Sequence, residues 1–280
     1  MTFTHSSSIY QTQWPKRLSN LIFWLSQISI PRWLRTPLLG FVANRLKINR
    51  TEMEHPIHHY TSINALFTRG LRQSSRQIDI QTNTLTSPVD GTIIGFGHAE
   101  KNTSSHFIKG HNFSLPELIG KKNSTHINRY AYISLYLSPS DCHRIMAPTS
   151  GQITQLDYIQ GNLFPVREPF ISQHSTLYNS NERTVVTIQS NETKLFLVAV
   201  AAINVSKIDC TFAPSFITTC QKTPTQTHTY SPPHTTTKGD WIQTFLLGSS
   251  VVMIMDPSVT FSQTLKVSQK IKYGELYGTK

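Results

Sequence analysis

The sequence predicts an α+β protein, with a mainly β core of packed antiparallel sheets and an N-terminal amphipathic helical region. Apolar residues recur at helical spacing near the N-terminus, whereas beyond about residue 80 they form short runs separated by Pro, Gly and Asn. A chain of 280 residues, 38% of them hydrophobic, is also long enough to bury a sizeable core. We therefore expect a helical region over residues 1–60 and a β-rich core over residues 61–280.

The helical region is expected to contain two short amphipathic helices. The apolar residues of the first lie at helical spacing. They are Leu18, Leu21, Ile22, Leu25 and Ile28. Pro31 should end this helix, and a second helix should run from Pro37 to Leu46, with Trp33 and Arg35 at its entrance.

This region also concentrates the positive charge of the chain. The formal net charge is +11, and the first 51 residues contain no acidic residue. Basic residues beside Trp and Phe suit a helix that lies in the headgroup layer of an anionic membrane. The same pattern suits a helical hairpin packed on the protein's own core, a signal-like stretch after Lys16 and Arg17, or a mitochondrial transit peptide. The longest early apolar run, Leu21–Leu25, is too short to span a bilayer.

A basic chain can also bind nucleic acid. Here the basic residues cluster with aliphatic helices, not on an aromatic-studded sheet, and no recognition motif is present. We therefore expect no nucleic-acid partner.

The core is expected to contain short strands with turn residues between them. The predicted strands lie within Leu85–Phe96, Tyr130–Leu137, Thr184–Ile188, Leu195–Val205 and Val251–Met255. A stretch rich in Thr, Pro and His, from Thr223 to Lys238, shows no periodicity, and we expect it to be an exposed loop.

The cysteines and histidines do not predict a metal site. Cys142, Cys210 and Cys220 match neither a Cys-x-x-Cys site nor a paired disulfide framework. The twelve histidines are scattered without ligand spacing. We therefore expect no metal.

The run Leu247-Gly248-Ser249-Ser250 precedes an apolar strand, and a Gly-Ser pair alone is common in turns. Four upstream segments make this Gly-Ser pair a more specific signal. In chain order they are Leu66–Arg72, Ser87–Ile93, Ile108–Leu115 and Tyr136–Pro148. The second is a Pro-x-Asp-Gly turn at Asp90, the third is a Lys-Gly-x-x-Phe-Ser-Leu run, and the fourth reads Ser-Pro-x-Asp-x-His-Arg.

In this order and spacing the segments resemble the phosphatidylserine decarboxylase family, of the pyruvoyl-dependent prokaryotic and mitochondrial type, over about residues 60–265. The resemblance implies a carboxy-lyase that converts phosphatidylserine to phosphatidylethanolamine through a Schiff base to a pyruvoyl group made from Ser249. Cleavage between Gly248 and Ser249 would give chains of residues 1–248 and 249–280 that stay together as a heterodimer. The implied location is the cytoplasmic face of the cell membrane, or the mitochondrial inner membrane in a eukaryote.

The resemblance also implies roles for individual residues. Ser249 would be the nucleophile of self-cleavage, Asp90 the aspartate of its Asp-His-Ser triad, and His143 the acid-base group of decarboxylation. A second set is expected to shape the substrate pocket. Its members are Lys109, His111, Phe113 and Arg144.

Met146 departs from the family pattern, because relatives carry there the histidine that acts as base in self-cleavage. A thioether cannot accept a proton from serine. Three interpretations follow: His143 does both tasks, another histidine such as His111 reaches Ser249, or the protein is a processing-deficient, catalytically inactive lipid-binding relative.

Overall fold

The computed structural model describes residues 14–100, 107–108, 111–112, 114–120, 127–165, 177–191, 193–202, 207–216, 224–246 and 250–280. The helices in these ranges are α1 Trp14–Gln27, α2 Arg32–Arg45, α3 Ile63–Phe67, α4 Leu115–Leu118 and α5 Leu177–Ser180. The strands are β1 Thr84–Thr86, β2 Gly91–Glu100, β3 Phe107–Ile108, β4 His111–Asn112, β5 Arg129–Tyr136, β6 Arg144–Met146, β7 Gly151–Ile159, β8 Arg183–Ser190, β9 Thr193–Val200, β10 Ile208–Cys210, β11 Gln226–Thr236, β12 Trp241–Phe245, β13 Ser250–Met255, β14 Thr260–Phe261, β15 Lys270–Ile271 and β16 Leu276–Thr279.

An antiparallel sheet of eight strands forms the centre of the protein, in the order β11-β7-β8-β9-β13-β5-β2-β15. Strand β13 lies between β9 and β5, and all six of its residues are buried. A run of Val, Met and Ile with no polar alternation is typical of a strand covered on both faces. The predicted α+β class, with a mainly β core of antiparallel sheets, is confirmed.

Three smaller antiparallel sheets accompany the central one in the described residues. Two have three strands, in the orders β10-β12-β6 and β1-β16-β14, and the third is the pair β3-β4. Strand β12 ends at Phe245, shortly before the start of β13 at Ser250. The chain therefore passes from one sheet to the next across the predicted cleavage bond.

The strand predictions are confirmed, except that one predicted stretch contains two strands. The stretch predicted as Leu85–Phe96 contains two strands, β1 and β2, because Ser87–Asp90 forms a turn between them. Strand β9 ends at Val200, and the remainder of the stretch predicted to reach Val205 includes residues outside the described ranges.

The prediction of a loop over Thr223–Lys238 is wrong, because most of this stretch is strand β11. Among the described residues β11 is an edge strand whose one neighbour is β7, and its register shifts between Thr229 and His234, around Pro232 and Pro233. Prolines are tolerated at such edges and bulges because no second neighbouring strand needs their missing N–H groups. Largely exposed side chains on an edge strand leave no apolar alternation to detect.

Both N-terminal helices are present, but the expected start of the second is wrong. Helix α2 begins at Arg32, directly after Pro31, and Pro37 lies inside it. The loss of one backbone hydrogen bond at Pro37 is offset by burial of Leu39 and Ala43 in a small apolar cluster. The other members of this cluster are Ile30, Ile48, Met53, Tyr60 and Leu66.

Helix α2 thus packs on the protein itself, as one interpretation of the sequence proposed, while large apolar side chains elsewhere in the two helices stay exposed. These are Leu21, Trp24, Leu25, Ile28, Trp33 and Phe41. None of the helices in the described part of the chain combines the length and apolar character needed to cross a membrane.

Candidate active site

The residues that flank the predicted cleavage segment are fixed by backbone hydrogen bonds. Leu247, Gly248 and Ser249 lie outside the described residues, but Leu246 and Ser250 are described. The Leu246 amide donates to the carbonyl of Lys207 at 3.1 Å, and its carbonyl accepts from Asn64 Nδ2 at 2.8 Å. Ser250 begins β13, opposite Tyr136 and Val200, and its buried Oγ has no hydrogen-bond partner in the described structure.

His143 lies close to this segment and is fully buried. Its carbonyl accepts a hydrogen bond from the Phe245 amide at 3.0 Å, and its ring lies against Phe67, with centroids 3.9 Å apart. Nδ1 is 2.9 Å from the carbonyl oxygen of Asp141. Because a carbonyl can only accept, Nδ1 carries the proton in the neutral ring, and Nε2 is the unprotonated nitrogen.

The environment of His143 favours the neutral imidazole. Burial and, secondly, the positive charge of Arg69 lower the pKa of His143 to about 3, although Asp141 acts in the opposite direction. Nε2 is buried and has no hydrogen-bond partner within the described ranges. His143 therefore presents a free proton acceptor at neutral pH.

Asp90 lies in the turn before β2 and is almost fully buried. Arg76 donates to both of its carboxylate oxygens, from Nε at 3.0 Å and from Nη2 at 2.5 Å. The Tyr273 amide donates to Oδ1 at 3.0 Å. The hydrogen-bond partners that the described residues give to this carboxylate are thus an arginine and a backbone amide, and neither is a histidine.

Arg76 joins two carboxylates. Besides Asp90 it contacts Glu52, whose Oε2 is 2.8 Å from Nη2. Burial works to lower the pKa of Arg76, but its hydrogen bonds to Asp90 and Glu52 outweigh burial and raise the pKa above its usual value. Arg76 therefore stays charged, and it neutralises the buried Asp90 carboxylate. This pairing was not predicted, although Arg76 follows the first motif segment closely.

Met146 lies beside the Asp90 turn, since its amide donates to the carbonyl of Pro88 at 2.8 Å. Its side chain is buried in a small cluster with Cys142 and Tyr273. Met146 is therefore near Asp90 and has apolar packing.

Arg69 belongs to the first motif segment, Leu66–Arg72, and the structure places it beside the His143 loop, a role that the sequence did not predict. It is almost fully buried, and Nη2 donates to the carbonyls of Ser140 at 2.7 Å and Asp141 at 3.4 Å. Burial lowers the pKa of Arg69. A charged residue among apolar ones, in Leu66-Phe67-Thr68-Arg69, was the available signal in the sequence.

The four predicted pocket residues are only partly described. Arg144 lies over the ring of Trp241 at 4.0 Å, and its Nε donates to the carbonyl of Thr68 at 3.3 Å. His111 belongs to β4, but its side chain, together with Lys109 and Phe113, lies outside the described residues. A shared pocket of these residues stays a prediction.

A family model described as phosphatidylserine decarboxylase matches residues 63–279, which include every strand and the His143 loop. The chain belongs to the phosphatidylserine decarboxylase family. The resemblance noted in the sequence is thus confirmed.

Individual phosphatidylserine decarboxylase relatives agree with this assignment, and all three below are named phosphatidylserine decarboxylase proenzyme. A Helicobacter pylori protein is 32% identical over 262 residues, which cover 93% of this chain and 96% of the relative. A Campylobacter jejuni protein is 34% identical over 266 residues, covering 93% and 97%. A Myxococcus xanthus protein is 28% identical over 263 residues, covering 93% of each chain. These alignments are longer than the family match and so include part of the helical region.

Proposed function

We infer that this protein is a lyase that decarboxylates phosphatidylserine to phosphatidylethanolamine. The observation that carries this conclusion is the family match over residues 63–279, together with relatives of about the same length. The alternative of a catalytically inactive lipid-binding relative receives no support from these comparisons.

We further propose that the cofactor is a pyruvoyl group made from Ser249. The Ser249 hydroxyl attacks the Gly248 carbonyl carbon, which converts the amide into an ester. Removal of the Ser249 α-proton then breaks the ester bond, frees the Gly248 carboxylate and leaves dehydroalanine, which water converts to pyruvoyl and ammonia. Once formed, the pyruvoyl carbonyl supplies an electron sink for decarboxylation. The neighbourhood fits this group, since the buried Ser250 Oγ and His143 Nε2 have no partners in the described structure.

His143 is the residue that we propose as the base in self-cleavage as well as the acid-base group of decarboxylation. Three observations support the role of base. The backbone of His143 pairs with Phe245, four positions before Ser249; its Nε2 has no partner among the described residues; and its lowered pKa keeps it deprotonated. A base must be within hydrogen-bond reach of the proton that it removes. In decarboxylation the same nitrogen would return a proton to the carbon that has lost carbon dioxide.

The two chains should remain associated after cleavage, because the small chain supplies the central strand of the large sheet. β13 forms backbone ladders with β5 and β9, and all three belong to the buried core. The small chain also contacts the large one through polar groups, including the Tyr273 amide on Asp90 and the Lys270 ammonium on Asp141 at 3.2 Å. Asp90 thus acts, in this proposal, as a positioning residue between the chains.

We also propose that residues 1–60 attach the protein peripherally to an anionic membrane and that residues 61–280 form the decarboxylase core. The support is an exposed apolar surface on the helices, with Trp24 67% and Ile28 60% exposed, next to a region rich in Lys and Arg. Such a surface can enter the headgroup layer while the basic side chains meet anionic lipid.

Replacing both Leu25 and Ile28 by Asp should weaken binding to vesicles of phosphatidylserine and phosphatidylcholine. Each buried aliphatic side chain contributes about 1.5–3 kcal/mol, so we expect a combined loss of at least about 100-fold, measured by co-sedimentation. Ile80→Asp is the matched control, because Ile80 is 89% exposed and lies outside the helices. An equal loss in the control would contradict the proposed attachment surface.

The proposed function is tested by the intact mass of the purified protein together with a decarboxylation assay on phosphatidylserine vesicles. We expect two chains, residues 1–248 and 249–280, the second with an N-terminal pyruvoyl group, and release of carbon dioxide with formation of phosphatidylethanolamine. Ser249→Ala should remain one chain and be inactive. A wild-type chain that stays uncut and inactive on incubation would overturn the proposal.

A further inference from the structure

Arg69 has hydrogen-bond donors for which the described residues supply no partner. Nη2 is occupied by the carbonyls of Ser140 and Asp141, but Nε and Nη1 are buried and have no partner in the described structure. No carboxylate within the described ranges forms an ion pair with Arg69, in contrast to Arg76 and Arg144. A buried guanidinium in this condition is destabilising unless an anion is supplied from elsewhere.

The unused donors of Arg69 belong to the same site as His143. Arg69 Nη2 and His143 Nδ1 lie 3.4 and 2.9 Å from one oxygen, the Asp141 carbonyl. The two side chains are therefore neighbours at the Asp141 carbonyl, each through a nitrogen other than its unpartnered ones. His143 Nε2, like Arg69 Nε and Nη1, is buried and without a partner in this part of the structure.

We propose that Arg69 is a substrate-binding residue whose Nε and Nη1 bind the phosphodiester group of the lipid headgroup. The inference rests on the proposed decarboxylase function and assigns one part of the substrate to one residue. A guanidinium fork matches two phosphate oxygens, and such charge-assisted pairs are among the strong hydrogen bonds of proteins. Both nitrogens are closed to solvent in the continuous chain, so lipid binding requires this part of the protein to open.

The headgroup offers a second anion, the serine carboxylate, but the reaction argues against it as the partner. As carbon dioxide leaves, the negative charge of the carboxylate moves away into the rest of the reacting group. An arginine bound there would stabilise the ground state more than the transition state and would slow the reaction. The phosphodiester keeps its charge throughout, so binding it carries no such penalty.

The dimensions of the headgroup also fit. Its phosphorus atom is three bonds from the carbon that loses carbon dioxide, a span of about 4 Å, like that between consecutive Cα atoms. With that carbon facing His143, the phosphodiester would lie beside Arg69. Neutralising the Arg69 charge would also remove one of the two causes that lower the pKa of His143, and so would favour its role as proton donor during turnover.

The test uses dihexanoyl phosphatidylglycerol as a competitive inhibitor of dihexanoyl phosphatidylserine, because it carries the phosphodiester but neither amine nor carboxylate. In cleaved Arg69→Gln we expect the inhibition constant of this lipid to rise about 10- to 100-fold, with KM for the substrate rising in parallel. Dihexanoylglycerol, which lacks the phosphate, should inhibit wild type and variant equally. Arg72→Gln is the matched control, since Arg72 is exposed, and both constants should stay at the wild-type value.

Three results would overturn the assignment. An unchanged inhibition constant for phosphatidylglycerol would exclude the phosphodiester, and an equal rise for dihexanoylglycerol would show a disturbed pocket instead. Arg69 would instead be a processing residue if two results were found together. Intact masses would show that Arg69→Gln is not cleaved, and Arg69→Lys would be cleaved with a wild-type inhibition constant for phosphatidylglycerol. If the wild-type protein decarboxylates the substrate in the same assay, any of these three results contradicts the role of Arg69 and not the proposed function.

Discussion

His143→Ala should remain an uncut chain of 280 residues with no decarboxylase activity. If the Ser249 hydroxyl loses the base that removes its proton, the amide bond at Gly248 stays intact and no pyruvoyl group forms. General-base catalysis contributes about 10²–10⁴-fold, so cleavage should slow by at least that range. The measurement is the intact mass followed over days, with phosphatidylethanolamine formation as the second readout.

Met146→His supplies the control for this prediction. The sequence resemblance predicts a histidine at this position, and Met146 lies next to the Asp90 turn. Met146→His alone should speed cleavage, and the double variant His143→Ala/Met146→His should be cleaved yet still fail to decarboxylate phosphatidylserine. Normal cleavage of His143→Ala alone would show that another residue, such as His111, removes the proton.

The pH dependence of cleavage checks the same role. A base works in its deprotonated form, and burial together with Arg69 lowers the pKa of His143 to about 3, against the opposing effect of Asp141. The cleavage rate should therefore stay near its maximum as the pH falls from 8 through 6.5 to about 5, and it should fall only toward the lowered pKa. A decrease centred near pH 6.5 would instead indicate an exposed histidine.

Arg76→Met should destabilise the fold strongly, because it leaves the buried Asp90 carboxylate without its cation. Breaking a buried ion pair by removing one partner costs about 3–5 kcal/mol. At about 2–4 °C per kcal/mol this lowers the melting temperature by roughly 10 °C. The measurement is best made by thermal unfolding in the Ser249→Ala background, where the protein is one chain.

Two further variants separate this ion pair from a general effect of losing an arginine. Arg72→Met removes an exposed guanidinium that donates to the Met53 carbonyl at 3.0 Å, and should change the melting temperature little. Arg76→Met/Asp90→Asn removes both charges and should recover part of the loss, since the two effects are coupled. Equal destabilisation by Arg76→Met and Arg72→Met would refute the role given to Arg76.

Short-range sequence patterns were sufficient for much of the fold and for the family. The apolar run Val251–Met255 predicted a buried strand, and it is the central strand β13. The ordered segments around Asp90, His143 and Gly248 predicted the family that the comparisons confirm. These features could be seen because local periodicity and motif spacing are properties of consecutive residues.

The tertiary structure alone decided which groups meet. Strand β11 is a strand because β7 lies beside it, and its own side chains carry no apolar pattern. Asp90 obtains its partners from Arg76 and from Tyr273, which is 183 positions away in the chain. The burial of Arg69 and His143 likewise comes from distant segments, and desolvation by those segments lowers both of their pKa values. The sequence by itself therefore determined five adjacent strands of the large sheet, β8-β9-β13-β5-β2, and the family motifs. The pairing and protonation of the candidate site depend on long-range packing that no local pattern records.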